Sequence, residues 1–203
     1  AAQSATTPLA PIEFERRTPG DRDVHIAIDF CGICHSDIHT ARSEWGPAMY
    51  PCVPGHEIIG RVVKTGKKAT RFAEGQRVGV GCFVGSCRTC ASCTAGHENY
   101  CQNGFTMTYG SMEAGGPAYT FGGYSTAIVV DEHFVLSMPE GLDPAAAAPL
   151  LCAGITTYSP LRQVGLTKGS RVAVMGLGGL GHMGVKLAAS FGAEVTVLSR
   201  SPG

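Results

Sequence analysis

Residues 171–181 read Arg-Val-Ala-Val-Met-Gly-Leu-Gly-Gly-Leu-Gly, and this stretch decides the fold class of the second part of the chain. Its first five residues form a short apolar run that predicts a strand. Three glycines with the spacing G-x-G-x-x-G follow at once and open a helix that we expect to end before Gly192. A second strand is predicted at 195–198. This pattern indicates a strand–helix–strand unit of a parallel α/β sheet.

The glycine pattern has the context that a dinucleotide-binding turn requires. Glycines allow a tight turn and close approach of a pyrophosphate, and the N-terminus of the helix faces the phosphates. A glycine-rich turn without a ligand is the alternative. The candidate cofactor-binding residues are Gly176, Leu177, Gly178, Gly179, Leu180 and Gly181.

The residues after the second strand bear on the choice of cofactor. An NAD site places Asp or Glu there to hold the ribose 2′-hydroxyl. Glu194 stands before the predicted strand, whereas Ser199 and Arg200 follow it. A hydroxyl and a guanidinium suit a 2′-phosphate, which favours NADP. A solvent-facing loop is the alternative.

The first 140 residues predict short strands joined by long loops, as in a small barrel. Strands are expected at 22–31, 57–64 and 77–81, and residues 123–138 predict a hairpin that turns near Asp131. Asp143 and Pro144 then predict a helix start, with Asp as N-cap and Pro at the first helical position. We therefore predict a mainly β domain over residues 1–150 and the start of an α/β domain over 151–203.

Four cysteines within residues 82–102 have the spacing C-x2-C-x2-C-x7-C. Four thiolates at this spacing bind one tetrahedral zinc ion and leave no open position, which defines a structural site. An iron–sulfur cluster is the first alternative, although its usual fourth Cys comes after three residues and precedes Pro. Unliganded thiols are the second alternative. The predicted ligands are Cys87, Cys90, Cys93 and Cys101.

A second candidate metal site is dispersed over the chain. Cys34, His56 and Cys152 offer the two Cys and one His of an alcohol-dehydrogenase type of zinc site with an open fourth position. Spacing alone does not show that these three residues meet. Cys31 and Cys34 can equally form a knuckle of their own, and Cys31, Cys52 and Cys82 suit small core positions.

Composition limits the class of protein. The 203 residues carry 16 basic and 16 acidic side chains, so the formal net charge is zero, which argues against a nucleic-acid or membrane-surface binder. We see no membrane-spanning stretch and no export signal, and we therefore expect a cytoplasmic protein. Nine cysteines, an odd number, argue against a disulfide framework.

Five motifs occur in order: Cys-Gly-Ile-Cys-His-Ser-Asp-Ile-His, Pro-Gly-His-Glu-Ile-Ile-Gly-Arg-Val, the four-cysteine lobe, Leu-Leu-Cys-Ala-Gly-Ile-Thr-Thr-Tyr-Ser-Pro-Leu and Gly-Leu-Gly-Gly-Leu-Gly-His-Met-Gly. With them the chain resembles the zinc-dependent medium-chain alcohol dehydrogenases, and most of all their cinnamyl-alcohol-dehydrogenase-like, NADP-dependent aldehyde reductase branch. The resemblance implies a GroES-like barrel followed by a Rossmann domain.

The resemblance also implies residue roles. It makes Cys34, His56 and Cys152 the ligands of a catalytic zinc, with Asp37 orienting His56 and Glu57 behind the metal. Two zinc ions are implied for each full-length chain.

For catalysis, the resemblance implies that Ser36 hydrogen-bonds the substrate oxygen and that His39 passes a proton to solvent. Thr156 would contact the nicotinamide, and His35 would lie near the pyrophosphate. An aromatic-friendly substrate pocket would be lined by Trp45 and Phe83, although ordinary core packing is the alternative for Trp45.

The implied activity is the interconversion of primary alcohols and aldehydes with NADP(H), with aldehyde reduction favoured. Only one strand–helix–strand unit of a Rossmann domain is present, so we expect a truncated piece of a homo-oligomeric parent, a dimer or tetramer of about 350 residues per chain, a length that the resemblance supplies. A zinc-stabilised binding module without catalysis and a zinc-free quinone reductase of the same superfamily are the alternatives.

Overall fold

The computed structural model describes residues 1–113 and 118–200. The chain divides into two compact units, Ala1–Leu151 and Cys152–Gly203. Residues 201–203, at the end of the second predicted domain, lie outside the described part. The predicted boundary falls one residue before this division, and the two domains, with the lobe at 82–102, stay a prediction.

The first unit consists mainly of short strands. Three of the predicted strands are present with bounds close to those expected. The elements, in chain order, are β1 (Asp23–Cys31), α1 (His35–Ala41), β2 (Ile58–Thr65), β3 (Arg77–Val80), β4 (Phe83–Gly85), α2 (Ala91–Thr94), β5 (Thr106–Met107), β6 (Ala127–Asp131), β7 (Val135–Ser137) and α3 (Pro144–Ala147).

Five of these strands form one curled antiparallel sheet in the order β6-β1-β2-β3-β7. Alternate residues of each strand point to the inside of the sheet, as the period of two requires. Most of the core is therefore aliphatic and β-branched, and its fully buried members include Val24, Ile26, Ile58, Val78 and Val80. The mainly β character that the sequence predicts is confirmed, although the sheet is a curled half-barrel with β6 and β7 at its open edges rather than a closed barrel.

The predicted hairpin over residues 123–138 is wrong. β6 pairs with β1 and β7 pairs with β3, so the two strands occupy opposite edges of the sheet. A 3-10 turn at Glu132–Phe134 joins them. The Glu132 carboxylate accepts hydrogen bonds from the backbone N–H groups of Thr70 and Arg71, at 2.7 and 2.8 Å, which fixes this turn against another loop.

The predicted helix start at Asp143 is confirmed. Its side chain accepts a hydrogen bond from the Ala145 N–H at 3.0 Å, and Pro144 is the first helical residue. α3 is short and continues as a 3-10 turn to Leu151. Alanines of this segment and Leu151 pack against Ile59, which places the end of the unit against the sheet.

The second unit contains the predicted strand–helix–strand. Its elements are α4 (Ala153–Gln163), β8 (Arg171–Met175), α5 (Gly179–Ser190) and β9 (Glu194–Leu198). β8 and β9 pair in parallel, with Arg171 opposite Glu194. Glu194 is the first residue of β9 rather than a residue before the strand. The assignment of this unit to a Rossmann domain stays a prediction.

Gly181, the last glycine of the G-x-G-x-x-G pattern, is required by close packing. A Cβ atom on Gly181 would lie 2.1 Å from the carbonyl oxygen of Gly176, a distance that no side chain tolerates. A Cβ on Gly178 or Gly179 would meet no atom within 4 Å. Gly181 therefore lets α5 begin directly beside the end of β8. Gly178 and Gly179 leave open space next to the turn.

We expect Gly181→Ala to destabilise the second unit by about 1–3 kcal/mol, because the added methyl group forces the turn and α5 apart. Gly179→Ala is the matched control, since it adds the same methyl group in open space. Hydrogen exchange of the α5 amides measures the difference. Equal protection of α5 in the two variants would contradict this account.

Candidate functional site

The first turn of α1 contains several of the predicted site residues. Cys34 is the N-cap of α1, with extended backbone angles, and its N–H donates to Asp37 Oδ2 at 2.9 Å. Ser36 lies between them, with its Oγ 3.5 Å from the Cys34 Sγ. The helix start therefore holds a thiol, a hydroxyl and a carboxylate within three positions.

Asp37 is buried and accepts four hydrogen bonds. Its Oδ1 accepts from Gly55 N at 2.9 Å and from His56 Nδ1 at 3.0 Å. Its Oδ2 accepts from Cys34 N and from the Tyr124 hydroxyl, each at 2.9 Å. Burial raises the pKa of Asp37, but hydrogen bonds led by the one from His56 outweigh it, so the pKa lies below its usual range.

The ionised Asp37 decides which nitrogen of His56 carries the proton. A carboxylate only accepts hydrogen bonds, so His56 donates from Nδ1 and keeps the lone pair of its ring on Nε2. This arrangement is typical of a histidine that binds a metal through Nε2.

The structure brings three of the predicted residues together in the first unit. The ligand atoms of Cys34, His56 and Glu57 all lie within 4.8 Å of one another, and His56 and Glu57 are buried. This donor set of a thiol, an imidazole and a carboxyl group fits a zinc ion. Cys152 is the first residue of the second unit and directly follows Leu151.

The side chain of Cys31, a rival ligand, has a different environment. Its Sγ donates to the Gly32 carbonyl oxygen at 3.6 Å. Burial raises the pKa of Cys31 to about 12, so its thiol stays protonated at neutral pH. Because the Cys34 sulfur, and not the Cys31 sulfur, is grouped with the ligand atoms of His56 and Glu57, Cys34 is the better ligand candidate of the two.

The four cysteines of the lobe also converge. Their Sγ atoms all lie within 4.8 Å of one another, and none of the four is in a disulfide. The Thr89 and Cys90 backbone N–H groups lower the pKa of Cys87 to about 5. Cys101 Sγ accepts from Cys87 N and Cys90 Sγ from Gln102 N, each at 3.4 Å. Such N–H donors stabilise thiolates, and the cluster fits a tetrahedral zinc ion.

Two side-chain contacts join the cysteine lobe to β6 and to the turn that follows it, and sequence reasoning missed both. Arg88 makes a two-pronged contact with Asp131, at 3.1 and 2.9 Å, and Glu98 Oε1 lies 2.7 Å from His133 Nε2. Arg88 and Asp131 are 43 positions apart, so no local pattern connects them.

The residues predicted for proton transfer and for the substrate pocket lie on or just after α1, except Phe83, which lies on β4. His39 is on α1, where its Nδ1 contacts Glu44 Oε2 and its ring stacks on Trp45 with centroids 4.8 Å apart. Trp45 is 67% exposed, which argues against the core packing considered above. His35 is the first residue of α1, 6.1 Å from the His39 ring. Phe83 is on β4 and packs with the rings of Phe105 and Phe134.

The predicted cofactor residues of the second unit lie at the ends of its elements. The turn 176–178 joins β8 to α5, and Gly176 N donates to Leu198 O at 2.8 Å, which ties the turn to the end of β9. Ser199 and Arg200 follow directly and are exposed. Thr156 is on the first turn of α4 and is exposed.

Comparison with known proteins defines the class. The alcohol dehydrogenase GroES-like domain model matches residues 20–140, and the chain belongs to this family.

Three relatives show how far the likeness extends. An NADP-dependent alcohol dehydrogenase C of Mycobacterium bovis is 59% identical over 201 residues, which are 99% of this chain and 58% of that protein. A cinnamyl alcohol dehydrogenase of Sorghum bicolor has a TM-score of 0.95 at 51% identity, over 99% of this chain and 57% of that one. The Helicobacter pylori enzyme complexed with NADP(H) has a TM-score of 0.94 at 47% identity, over 98% and 57%. The chain thus spans less than three-fifths of the length of these relatives.

We expect Cys93→Ser to release one zinc ion per chain and to loosen residues 87–101, because three thiolates do not complete a tetrahedral site. Cys82→Ser is the matched control, since this cysteine lies outside the cluster. Zinc content by atomic emission and proteolysis of the lobe measure the outcome. Unchanged zinc content in Cys93→Ser would rule out the assignment.

Proposed function

We propose that the protein is a zinc-dependent oxidoreductase that interconverts primary alcohols and aldehydes with NADP(H), with aldehyde reduction as the favoured direction. The cluster of Cys34, His56 and Glu57 beside the buried Asp37 is the observation that carries this proposal. The names of the relatives, NADP-dependent alcohol dehydrogenase and cinnamyl alcohol dehydrogenase, support the cofactor and the substrate class.

Cys34, His56 and Cys152 would hold the catalytic zinc. Such an ion keeps its fourth position for the substrate oxygen, where it polarises a carbonyl group or lowers the pKa of an alcohol. Asp37 keeps the His56 proton on Nδ1 and so orients the ring. Glu57 would lie behind the metal. Cys152 follows Leu151 in the chain, so the Cα atoms of the two residues lie about 3.8 Å apart. Leu151 itself is buried in the first unit.

The proton would move through hydroxyl and imidazole groups of α1. Ser36 Oγ, beside the Cys34 Sγ, would hydrogen-bond the substrate oxygen. His39 would pass the proton to solvent, and its Nδ1 is already in contact with Glu44.

The cofactor would lie along the second unit, which we assign to the start of a Rossmann domain. Nicotinamide carries the hydride, and the protein supplies binding and orientation. The turn from Gly176 to Gly181 would hold the pyrophosphate at the N-terminus of α5. Thr156 would contact the nicotinamide, and His35 would lie near the pyrophosphate. Ser199 and Arg200 would hold the 2′-phosphate.

Aromatic residues of the first unit bear on the substrate. Trp45 offers an exposed aromatic face, and with Phe83 it would favour an aromatic alcohol or aldehyde. We propose a cytoplasmic homo-oligomer, a dimer or tetramer. Within the described residues, no helix has both the length and the apolar character to cross a bilayer.

A zinc-stabilised binding module is the second candidate, because the cysteine lobe would need its metal with or without catalysis. The zinc count separates the candidates. Two zinc ions per full-length chain support the dehydrogenase, one supports the module, and none supports a quinone-reductase-like protein. Consumption of NADPH by the full-length protein with a panel of aliphatic and aromatic aldehydes tests the activity directly.

We expect Cys34→Ser to lower zinc content by one ion per chain and aldehyde reduction by roughly 100-fold or more, since a Lewis acid contributes several kcal/mol to the transition state. Cys31→Ser, three positions away, should keep both. Anomalous scattering at the zinc edge identifies the ligands. A metal held by Cys31 instead of Cys34 would refute the assignment.

We expect Ser199→Asp combined with Arg200→Ala to shift the cofactor preference towards NADH. The change removes a charge-assisted contact of about 1.5–3 kcal/mol, roughly one to two decades in affinity, and adds repulsion. Arg171→Ala, at the opposite end of the parallel strands, is the control for loss of charge. Values of kcat/KM for NADPH and NADH with one aldehyde measure the preference. A parent protein that prefers NADH would contradict the prediction.

A further inference from the structure

The hydrogen bonds that orient His56 extend beyond Asp37 to Tyr124, to which the sequence analysis assigns no role in the site. The Tyr124 hydroxyl donates to Asp37 Oδ2 at 2.9 Å, while Asp37 Oδ1 accepts from His56 Nδ1. Tyr124 and Asp37 are 87 positions apart. The tyrosine hydroxyl is thus two hydrogen bonds away from the imidazole, with the carboxylate between them.

Residues 121–125, which we call the tyrosine segment, are fixed to the backbone that precedes His56. Three hydrogen bonds join them: Gly122 N to Val53 O at 2.7 Å, Gly123 N to Gly55 O at 2.8 Å and Tyr124 N to Pro54 O at 3.0 Å. A Cβ on Gly122 would lie 2.4 Å from Pro54 O, so the two segments are in closest backbone contact. The tyrosine segment and the histidine therefore share one rigid frame.

A single guanidinium holds the other side of the tyrosine segment. Arg16 donates to Phe121 O at 2.6 Å, to Gly122 O at 2.9 Å, to Ser125 Oγ at 2.7 Å and to Ala127 O at 2.8 Å. These partners lie on both sides of Tyr124, so its backbone is anchored before and after the residue. Removing the tyrosine hydroxyl would thus leave the segment in place and change only its contact with Asp37.

We propose that Tyr124 is a positioning residue of the catalytic metal site, which holds the Asp37 carboxylate and through it the ring of His56 in the orientation that retains the metal. The inference rests on the proposed function, in which His56 binds zinc. Without the hydroxyl, Oδ2 loses one of its donors, and the carboxylate gains freedom to rotate away from His56 Nδ1. Partners behind a metal ligand change metal affinity in this way.

The test is the release of zinc from the zinc-loaded protein to the coloured chelator 4-(2-pyridylazo)resorcinol. The wild-type protein should release two ions in two phases, which Cys34→Ser and Cys93→Ser assign to the two sites. Tyr124→Phe should accelerate only the phase that Cys34→Ser abolishes, by about tenfold. Tyr119→Phe is the matched control, because its hydroxyl donates to Pro51 O at 3.1 Å and not to Asp37.

A double-mutant cycle separates positioning from a merely structural role. In an Asp37→Asn background, Tyr124→Phe should have no further effect on zinc release, because the tyrosine acts through the carboxylate. Two zinc ions with unchanged release in Tyr124→Phe would overturn the inference and leave the proposed function intact. Acceleration of both phases would also overturn it, as general loosening. A wild-type protein with a single zinc ion would overturn the proposed function and this inference together.

Discussion

The charge of Asp37 is the constraint on which the first unit depends. A buried carboxylate is costly unless hydrogen bonds replace its water, and here four donors do so. They come from three segments: the start of α1, the loop before His56 and the tyrosine segment. These segments must meet at one point before any of their side chains can form a site. The curled sheet brings them together, because β1, β2 and β6 are neighbours in it and each leads into or out of one of the three segments.

The two clusters of candidate metal ligands obtain their geometry in different ways. The cysteine lobe is local: its four thiols lie within fifteen residues, and neighbouring backbone N–H groups donate to their sulfurs. Two partly exposed side-chain contacts join it to β6 and the following turn, the Arg88–Asp131 ion pair and the Glu98–His133 contact, and each contributes little. A zinc ion held by the four thiolates, as we propose, would add a stronger constraint on the lobe than either contact. The Cys34–His56 cluster instead inherits its geometry from the core and from Asp37.

The features that could be predicted from the sequence are those set by residues close together in the chain. The bounds of β1, β2 and β8, the N-cap at Asp143 and the convergence of the four cysteines all follow from residues close together in the chain. The hairpin prediction was wrong because strand pairing at the edges of a curled sheet is set by tertiary contacts, and the apolar residues on either side of Asp131 are the same in either pairing. Tyr124 and Arg16 escaped notice for the same reason, since their partners are some ninety to one hundred and ten positions away.

In the second unit, the glycine-rich turn is held by local contacts although the strands beside it are poorly buried. Parallel strands usually have both faces covered, yet β8 and β9 leave Met175 and Leu198 exposed at 85% and 48% within the described residues. The turn between β8 and α5 does not depend on that missing cover. Its shape is set by the contact of Gly181 with the Gly176 carbonyl and by the hydrogen bond from Gly176 N to Leu198 O. If the turn binds a phosphate group, as we propose, its backbone would already have this shape, so little binding free energy would go into ordering it.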